Sequence, residues 1–284
     1  MFRNLSPGAI GIHADLTQSL KLAKDAGFEG LDLPIGEALK LSEQHGPEYV
    51  KQLYAEAGLK MGGWGLPIDW RADEDAFRNQ LQDLPKYAAL GQQLGCTRVP
   101  TWVLPFSDTL PFEENFKWHV SRFRPIAEIL RDYGCRLGLE FIGPATIRRG
   151  RRYEFIYTLK GMLDLADAIG TGNVGLLLDS WHWYTSHGTI DDITSTPAEQ
   201  IVYVHINDAP AGVPVDEQID SVRCLPGETG VIDLTGFLKA LKQVGYDGPV
   251  TPEPFSKRVN ELPAEEAAKV TSDALLKVWR SAGL

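Results

Sequence analysis

Short apolar runs alternate along the chain with amphipathic segments, separated by turns rich in glycine, proline and polar residues. The apolar runs predict eight strands, at residues 8–13, 30–34, 61–66, 97–105, 136–144, 173–180, 201–208 and 249–254. Segment 17–27 is typical of the helices between them. Helical patterns before three later strands end near Gly134, Gly170 and Gly245, since glycine commonly terminates helices. The chain therefore predicts a regular alternation of strand and helix.

This alternation indicates the α/β class and, with eight strands, a (β/α)8 TIM barrel. No low-complexity linker or shift in composition divides the sequence, so residues 1–284 are predicted to form a single domain. A doubly wound open sheet would also alternate strands and helices. It usually has fewer strands, and the first predicted strand here is not followed by the GxGxxG turn of dinucleotide-binding sheets.

Residues with metal-binding side chains come at the ends of the last four predicted strands. They are Glu140 in LGLEF, Asp179 in LLLDS, His205 in VYVHIND and Glu253 in VTPEPF. Taken alone, Asp179 is explained equally well as the cap of a following helix or as a metal ligand. A lone histidine in an apolar strand is more often a core residue than a metal ligand. In a barrel, however, the carboxyl ends of the strands meet at one rim, where three carboxylates would repel one another unless a cation lay between them.

Three carboxylates and one imidazole predict one bound divalent metal ion as cofactor. Mn²⁺ is the preferred ion, and Mg²⁺ and Co²⁺ also suit a set of mainly oxygen ligands. Structural Zn²⁺ prefers cysteine and histidine, but the sequence leaves Zn²⁺ open.

The series Glu…Asp-x-x-His…His…Glu resembles the xylose-isomerase-like TIM barrels, the sugar phosphate isomerase/epimerase superfamily with its tagatose 3-epimerase, hydroxypyruvate isomerase and inosose dehydratase branches. The resemblance covers essentially the whole chain. It implies four metal ligands: Glu140, Asp179, His205 and Glu253. It also implies that Glu140 and Glu253 are the catalytic acid and base. Substrate contacts are implied for His182 and for Arg223, which opens the segment RCLPGETGVID (223–233).

The resemblance implies a metal-dependent isomerase or epimerase that acts on a keto-sugar or related polyol through a metal-stabilised enediolate. An enediolate can also expel a leaving group, so an inosose-dehydratase-like lyase or elimination from a keto-glycoside is the alternative. An enzyme like endonuclease IV would need further histidine ligands roughly where Trp64 and Trp102 stand. A non-catalytic binding protein would have no need of mutually repelling carboxylates.

Aromatic residues follow several strands, where they suit the apolar faces of sugar rings. Trp64, Trp102 and Trp181 are the predicted substrate contacts among them. The basic run IRRGRR (147–152) has three interpretations: a site for an acidic group of the substrate, a salt bridge to another subunit, or a solvated loop. Four further residues are predicted to be peripheral or supporting: His13 and His119 as structural, Asp32 near the pocket, and Asp208 as orienting a metal ligand.

Composition narrows the classes of partner. The net charge of −10 argues against a broad surface for nucleic acid or an anionic membrane. No apolar stretch approaches the roughly 20 residues that span a bilayer, and the first residues do not resemble a secretory signal. Cys96, Cys135 and Cys224 are odd in number and widely spaced, which is typical of reduced thiols in the cytoplasm. A small carbohydrate is the expected partner, and a homo-oligomer remains open.

Overall fold

The computed structural model describes residues 1–284. Its strands are β1 (Phe2–Leu5), β2 (Gly30–Leu31), β3 (Lys60–Met61), β4 (Arg98–Val103), β5 (Phe106–Ser107), β6 (Arg136–Phe141), β7 (Tyr153–Glu154), β8 (Val174–Asp179), β9 (Ile201–Ile206) and β10 (Pro249–Pro252). Its α-helices are α1 (Leu16–Ala26), α2 (Ile35–His45), α3 (Pro47–Ala57), α4 (Glu74–Leu94), α5 (Phe112–Asp132), α6 (Ala145–Arg148), α7 (Leu159–Ile169), α8 (Ser180–Thr185), α9 (Ile190–Thr194), α10 (Leu234–Val244), α11 (Lys257–Asn260) and α12 (Ala264–Ser281). Short 3₁₀ helices occur at Pro7–Ile10, Ala198–Gln200 and Val215–Glu217.

Eight parallel strands form one sheet, in the order β3-β2-β1-β10-β9-β8-β6-β4. Two backbone hydrogen bonds join the segment that follows β3, at one end of this order, to β4 at the other end. The N–H of Trp64 donates to the carbonyl of Arg98 (3.0 Å), and the N–H of Leu66 donates to the carbonyl of Pro100 (3.1 Å). The sheet therefore closes on itself, and the predicted α/β fold, a (β/α)8 barrel, is confirmed.

The first predicted strand, at 8–13, is wrong. Pro7 begins a 3₁₀ helix there, and Gly11, with φ 75°, ends it. Proline favours a first helical position because it has no N–H to satisfy and its φ is already fixed. The strand lies earlier, at Phe2–Leu5, while the apolar Ile10 is buried from the 3₁₀ turn. The apolar run therefore predicted correctly that apolar residues of this segment are buried, but it did not predict the 3₁₀ conformation.

The second and third strands are shorter than predicted. β2 and β3 contain two residues each, against predictions of 30–34 and 61–66. The segments that follow β2 and β3 are still joined by a backbone hydrogen bond, from the N–H of Leu33 to the carbonyl of Gly63 (2.8 Å). The later strands hold the most buried part of the sheet, because β6, β8 and β9 have helices outside and the packed barrel interior inside.

A polar network crosses the barrel interior. The Asn4 amide donates to Asp32 Oδ1 (2.8 Å) and Thr251 Oγ1 (3.0 Å), and the Tyr203 hydroxyl donates to Asp32 Oδ1 (2.7 Å). Burial raises the pKa of the Asp32 carboxyl despite these donors. Asp32 borders a cavity that it shares with His13, apart from the cavity of the metal ligands.

The basic run is paired within the chain. Three of its arginines form ion pairs, Arg148 with Glu154 (3.1 Å), Arg149 with Glu217 (2.8 Å) and Arg151 with Asp108 (3.1 Å). These contacts link the basic run to the antiparallel strand pair β5–β7 and to the loop around Glu217. The predicted solvated loop is therefore exposed but internally paired.

Two further sequence predictions concern cysteine and membranes. The three cysteines are free thiols, with Cys96 and Cys135 buried and Cys224 half-buried. None of the helices has both the length and the apolar character required to cross a membrane.

His119 gives the fold a measurable sensitivity to acid. Its ring is buried against Phe155, with centroids 4.6 Å apart, and burial lowers its pKa to about 4. The folded protein therefore favours the neutral imidazole of His119. Its free energy of unfolding decreases as the pH drops from 6.5, the ordinary pKa of histidine, towards 4. Between neutral pH and about pH 4.5 the loss from this group is about 2 to 3 kcal/mol. Urea unfolding of His119→Phe should show a correspondingly smaller loss than the wild type. Equal losses in the two proteins would contradict this.

Candidate metal centre

Four predicted ligands meet at the carboxyl ends of neighbouring strands. Glu140 lies in β6, Asp179 ends β8, His205 lies in β9 and Glu253 directly follows β10. Asp179 and His205 are paired residues across β8 and β9. Each of the four side chains offers one ligand atom, and these atoms all lie within 4.8 Å of one another. The barrel register thus brings residues more than a hundred positions apart to one point.

The side chains of this cluster are oriented by close polar contacts. His205 Nδ1 lies 3.3 Å from Glu140 Oε1 and 3.3 Å from Glu253 Oε2. Arg223 Nη1 donates to Asp179 Oδ2 (2.8 Å) and to Glu253 Oε2 (3.1 Å). All three carboxylates therefore turn an oxygen towards the same small volume.

Burial and neighbouring charges shift the pKa values of the four clustered side chains in different directions. Burial raises the pKa of Glu140 to about 7, helped by the charges of Glu253 and Asp179. Burial also raises the pKa of Asp179. Burial alone would raise the pKa of Glu253, but His205 and Arg223 outweigh it and lower that pKa. For His205 burial is likewise outweighed, since the carboxylates Glu253 and Glu140 raise its pKa well above the ordinary value.

The donor set fits a divalent cation. Glu140, Asp179 and Glu253 bring three negative charges when ionised, and Arg223 supplies one permanent positive charge against two of them. A divalent ion would balance the remainder, and three carboxylate oxygens with one imidazole nitrogen are ligands that Mn²⁺, Mg²⁺, Co²⁺ and Zn²⁺ all accept.

Asp179 is both a helix cap and a member of the cluster. Its Oδ1 accepts the N–H of Trp181 (2.8 Å) at the start of α8, while its Oδ2 faces Arg223. The two interpretations that the sequence set against each other are compatible, because a carboxylate has two oxygens.

His182 presents a donor next to the cluster. Its Nδ1 accepts the N–H of Gly143 at 3.2 Å, which assigns the proton of the neutral ring to Nε2. Burial lowers the pKa of His182 well below its ordinary value, so the neutral form prevails. Nε2 lies 3.2 Å from Arg223 Nη2 and 3.8 Å from Asp220 Oδ1. The Nε2–H of His182 and the Nη2–H of Arg223 are therefore neighbouring donors, and both face the carboxylate of Asp220.

A cavity of about 330 Å³ opens over these groups. It is lined by Trp102, Leu104, Glu140, Ile142, Ile147, His182, Asp220, Arg223, Glu253 and Phe255. Phe255 has a φ of 39°, which is strained for a bulky residue, and its ring lies 4.4 Å from the Arg223 guanidinium. The volume suits a small molecule with one ring.

Two of the three predicted tryptophan contacts do not line this cavity. Trp64 is 1% exposed, and its Nε1–H donates to the carbonyl of Cys96 (2.9 Å) inside the core. Trp181 is 0% exposed and packs beside Arg223, 5.4 Å from its guanidinium. Trp102 alone, 38% exposed, is a wall of the cavity. The direct substrate contacts predicted for Trp64 and Trp181 are therefore corrected to packing, because large apolar rings near a barrel core fill it.

The support that sequence reasoning assigned to Asp208 comes from its neighbour. Asn207 donates from Nδ2 to Asp179 Oδ1 (3.2 Å) and accepts the Glu253 N–H on Oδ1 (2.7 Å), so one amide positions two ligands. Asp208 instead accepts backbone N–H groups of Thr229 (3.0 Å) and Gly230 (2.7 Å), which holds the loop after Arg223. The polar pair Asn-Asp at the end of an apolar strand was the available signal, but it does not say which member faces the site.

Asn207→Leu should weaken metal binding while the barrel still folds. Removing the amide frees the Asp179 carboxylate and the Glu253 backbone from their common support, and such supporting contacts are typically worth about 10- to 100-fold in metal affinity. Titration of Mn²⁺ into metal-free protein, followed by calorimetry, measures this. Asn79→Leu, on the outer surface of α4, is the matched control and should bind Mn²⁺ as the wild type does. Equal affinity in all three proteins would rule out the positioning role.

Comparison with known proteins identifies relatives of this chain. The family model described as "Xylose isomerase-like TIM barrel" matches residues 20–277. An inosose isomerase of Halalkalibacterium halodurans is 33% identical, over 94% of this chain and 92% of its own. A ketose 3-epimerase of Arthrobacter globiformis is 29% identical over 85% and 78%. A 3-dehydroshikimate dehydratase of Pseudomonas putida is 26% identical over 93% of this chain and 40% of its own longer chain.

Solved structures show the same fold. A xylose isomerase domain protein of Alicyclobacillus acidocaldarius superposes with a TM-score of 0.87 at 33% identity, over 100% of both chains. The IOLI protein, solved with a bound zinc atom, superposes with a TM-score of 0.78 at 22% identity, over 98% of both chains. This chain is thus an enzyme, and it belongs to the xylose isomerase-like TIM barrel family.

Proposed function

We propose that this enzyme is a divalent-metal-dependent isomerase or epimerase acting on a keto-sugar or related polyol. The observation that carries the proposal is the convergence of Glu140, Asp179, His205 and Glu253, whose ligand atoms lie within 4.8 Å of one another beside a cavity for one ring. The inosose isomerase and ketose 3-epimerase among its relatives support the same class of reaction.

The proposed ligands are the four residues of the cluster, with Mn²⁺ as the expected ion. When bound, a divalent cation supplies Lewis-acid stabilisation to the enediolate that forms as a carbon beside the substrate carbonyl loses its proton. Zn²⁺ remains a direct competitor for the site, and a protein of this fold has been solved with zinc.

Two carboxylates of the cavity are placed to move that proton. Glu140 and Glu253 both line the cavity and approach His205 Nδ1 at the same distance, 3.3 Å. One carboxylate oxygen takes the proton from carbon, and the other returns a proton to the neighbouring carbon or to the opposite face. Substrate carbon held between two such groups needs no further base.

The remaining cavity groups hold the substrate oxygens. The Nε2–H of His182 and the guanidinium of Arg223 face the cavity, so they donate to the oxygen on which negative charge develops. Trp102 supplies an apolar wall on which the C–H face of a sugar packs. Ile142 and Ile147 restrict water around the reacting carbons.

A lyase acting on the same substrate class is the second candidate. The 3-dehydroshikimate dehydratase relative aligns over 93% of this chain. Elimination begins with the same loss of a proton to a carboxylate. It then needs a donor for the departing oxygen, and the Nε2–H of His182 is placed for that step.

Metal content and solvent exchange test the proposal together. Elemental analysis should find about one divalent ion per chain. The Mn²⁺-loaded enzyme is then incubated in D₂O with a panel of ketohexoses and an inosose. Deuterium on carbon in recovered or isomerised sugar supports the isomerase, whereas an unsaturated product that has lost water supports the lyase. Absence of bound metal together with absence of exchange in every panel member would refute both.

A further inference from the structure

A second cavity lies next to the cavity of the metal centre. Its volume is about 460 Å³, and its walls include Trp70, Arg71, Leu104, Asn115, Trp118 and His119. Leu104 is a wall of both cavities. The two cavities therefore adjoin one another at Leu104.

Polar groups without partners point to a ligand in this second cavity. Asn115 is 4% exposed, yet its carboxamide makes no hydrogen bond within the chain, and the surface it keeps is in the cavity wall. The Nε2 of His119 is also buried without a partner, while its Nδ1 lies 2.7 Å from the Asn115 carbonyl and so carries the proton. A buried imidazole nitrogen is normally satisfied, so the Nε2 of His119 lacks a donor here, and the Asn115 carboxamide is free to bind a ligand from the cavity side.

Aromatic rings form the rest of this wall. Trp70 packs against Trp118, with centroids 5.7 Å apart, and both border the cavity. The Arg71 guanidinium lies 5.7 Å from the Trp70 ring and 4.4 Å from the Trp102 ring, so one cation stands at the boundary between the two cavities. Flat rings combined with a carboxamide and a guanidinium are typical of sites for hydroxyl-bearing rings.

We propose that the second cavity binds a hydroxyl-bearing ring attached to the reacting keto unit, so that the substrate has two rings. This rests on the proposed function of the metal centre. The Asn115 carboxamide offers two N–H donors and one acceptor oxygen to hydroxyls of the distal ring, and the half-buried Trp118 receives its apolar face. The ring is either a glycosyl or a phenolic group, since both combine hydroxyls with an apolar face.

Binding by calorimetry with the Mn²⁺-loaded enzyme tests the proposal. The probes are fructose, isomaltulose (glucosyl-fructose) and fructose carrying a para-hydroxyphenyl ether. At least one two-ring probe should bind about 10-fold more tightly than fructose. Asn115→Leu should remove that gain without changing the affinity for fructose. Glu114→Gln, exposed on the same helix, is the control and should keep it. Because fructose binds at the metal centre, an unchanged affinity of Asn115→Leu for fructose shows that the loss of the gain does not come from misfolding.

The two-ring probes identify the source of the distal ring, since preference for isomaltulose indicates a glycosyl group and preference for the ether a phenolic one. Equal affinity of all three probes in wild type would overturn the proposal. A failure of the proposed function gives another result: fructose would neither bind nor exchange, yet methyl glucoside or para-hydroxyphenyl glucoside would still bind in a manner sensitive to Asn115→Leu. If those glucosides also fail to bind, the second cavity is not a ring site.

Discussion

Glu253→Gln is expected to lower kcat/KM by at least about 10³-fold while leaving the barrel folded. Glutamine keeps the size of the side chain but cannot accept a proton, and its amide oxygen is a weaker ligand than a carboxylate. Glu140→Gln should cause a loss of the same order, because both carboxylates border the cavity and flank His205. Rates are measured on whichever sugar exchanges deuterium, at saturating Mn²⁺, so that weaker metal binding is separated from lost proton transfer.

Glu261→Gln is the matched control for this loss. Glu261 lies in the same C-terminal segment, and its ion pair with Lys257 (3.7 Å) is exposed, so its replacement should leave kcat/KM unchanged. Wild-type activity in either Glu140→Gln or Glu253→Gln with metal bound would remove that residue from the proton transfer. Loss of metal at every concentration tested would instead assign it to ligation alone.

Much of the fold was predictable because strands of a parallel barrel are buried on both sides. β6, β8 and β9 appear in the sequence as nearly continuous apolar runs, and the runs end where the side chains of Glu140, Asp179 and His205 turn to the rim. The first strand was misplaced because Phe2–Leu5 carries polar Arg3 and Asn4, and the amide nitrogen of Asn4 finds its hydrogen-bond partners only in residues distant in sequence, Asp32 and Thr251 among them. Hydrogen bonds to residues that are distant in sequence leave no local pattern from which a strand could be predicted.

The charged residues of the candidate site were predictable from the sequence, but which aromatic residues line its cavity was not. Carboxylates at the ends of neighbouring strands predict a metal site, because a bound cation relieves their mutual repulsion. Which tryptophan faces the cavity depends on packing, and Trp102, Trp64 and Trp181 look alike in sequence although, of the three, Trp102 alone lines the cavity beside Glu140 and Glu253. Asp220 joins the site only through the loop that returns it to Arg223 at 2.9 Å.

Arg223→Met should destabilise the metal-free enzyme by about 3 to 5 kcal/mol and at the same time strengthen metal binding. Arg223 is buried, and its guanidinium pairs with Asp179 (2.8 Å), Glu253 (3.1 Å) and Asp220 (2.9 Å). Without it, the buried Asp179 and the half-buried Glu253 and Asp220 lose their permanent counter-charge, and an added cation replaces part of that charge. Because the cation then relieves more repulsion than in wild type, its binding free energy becomes more favourable.

Thermal unfolding with and without Mn²⁺ measures both effects in one series. The metal-free variant should melt below the metal-free wild type, and Mn²⁺ should raise its Tm by more than it raises that of the wild type. Turnover should stay low even with metal bound, since Arg223 also faces the substrate cavity. Arg258→Met breaks an exposed pair with Glu228 (2.8 Å) and should change stability by no more than about 0.5 kcal/mol. An equal rise in Tm on adding Mn²⁺ to wild type and Arg223→Met would show that the guanidinium does not share its charge with the metal centre.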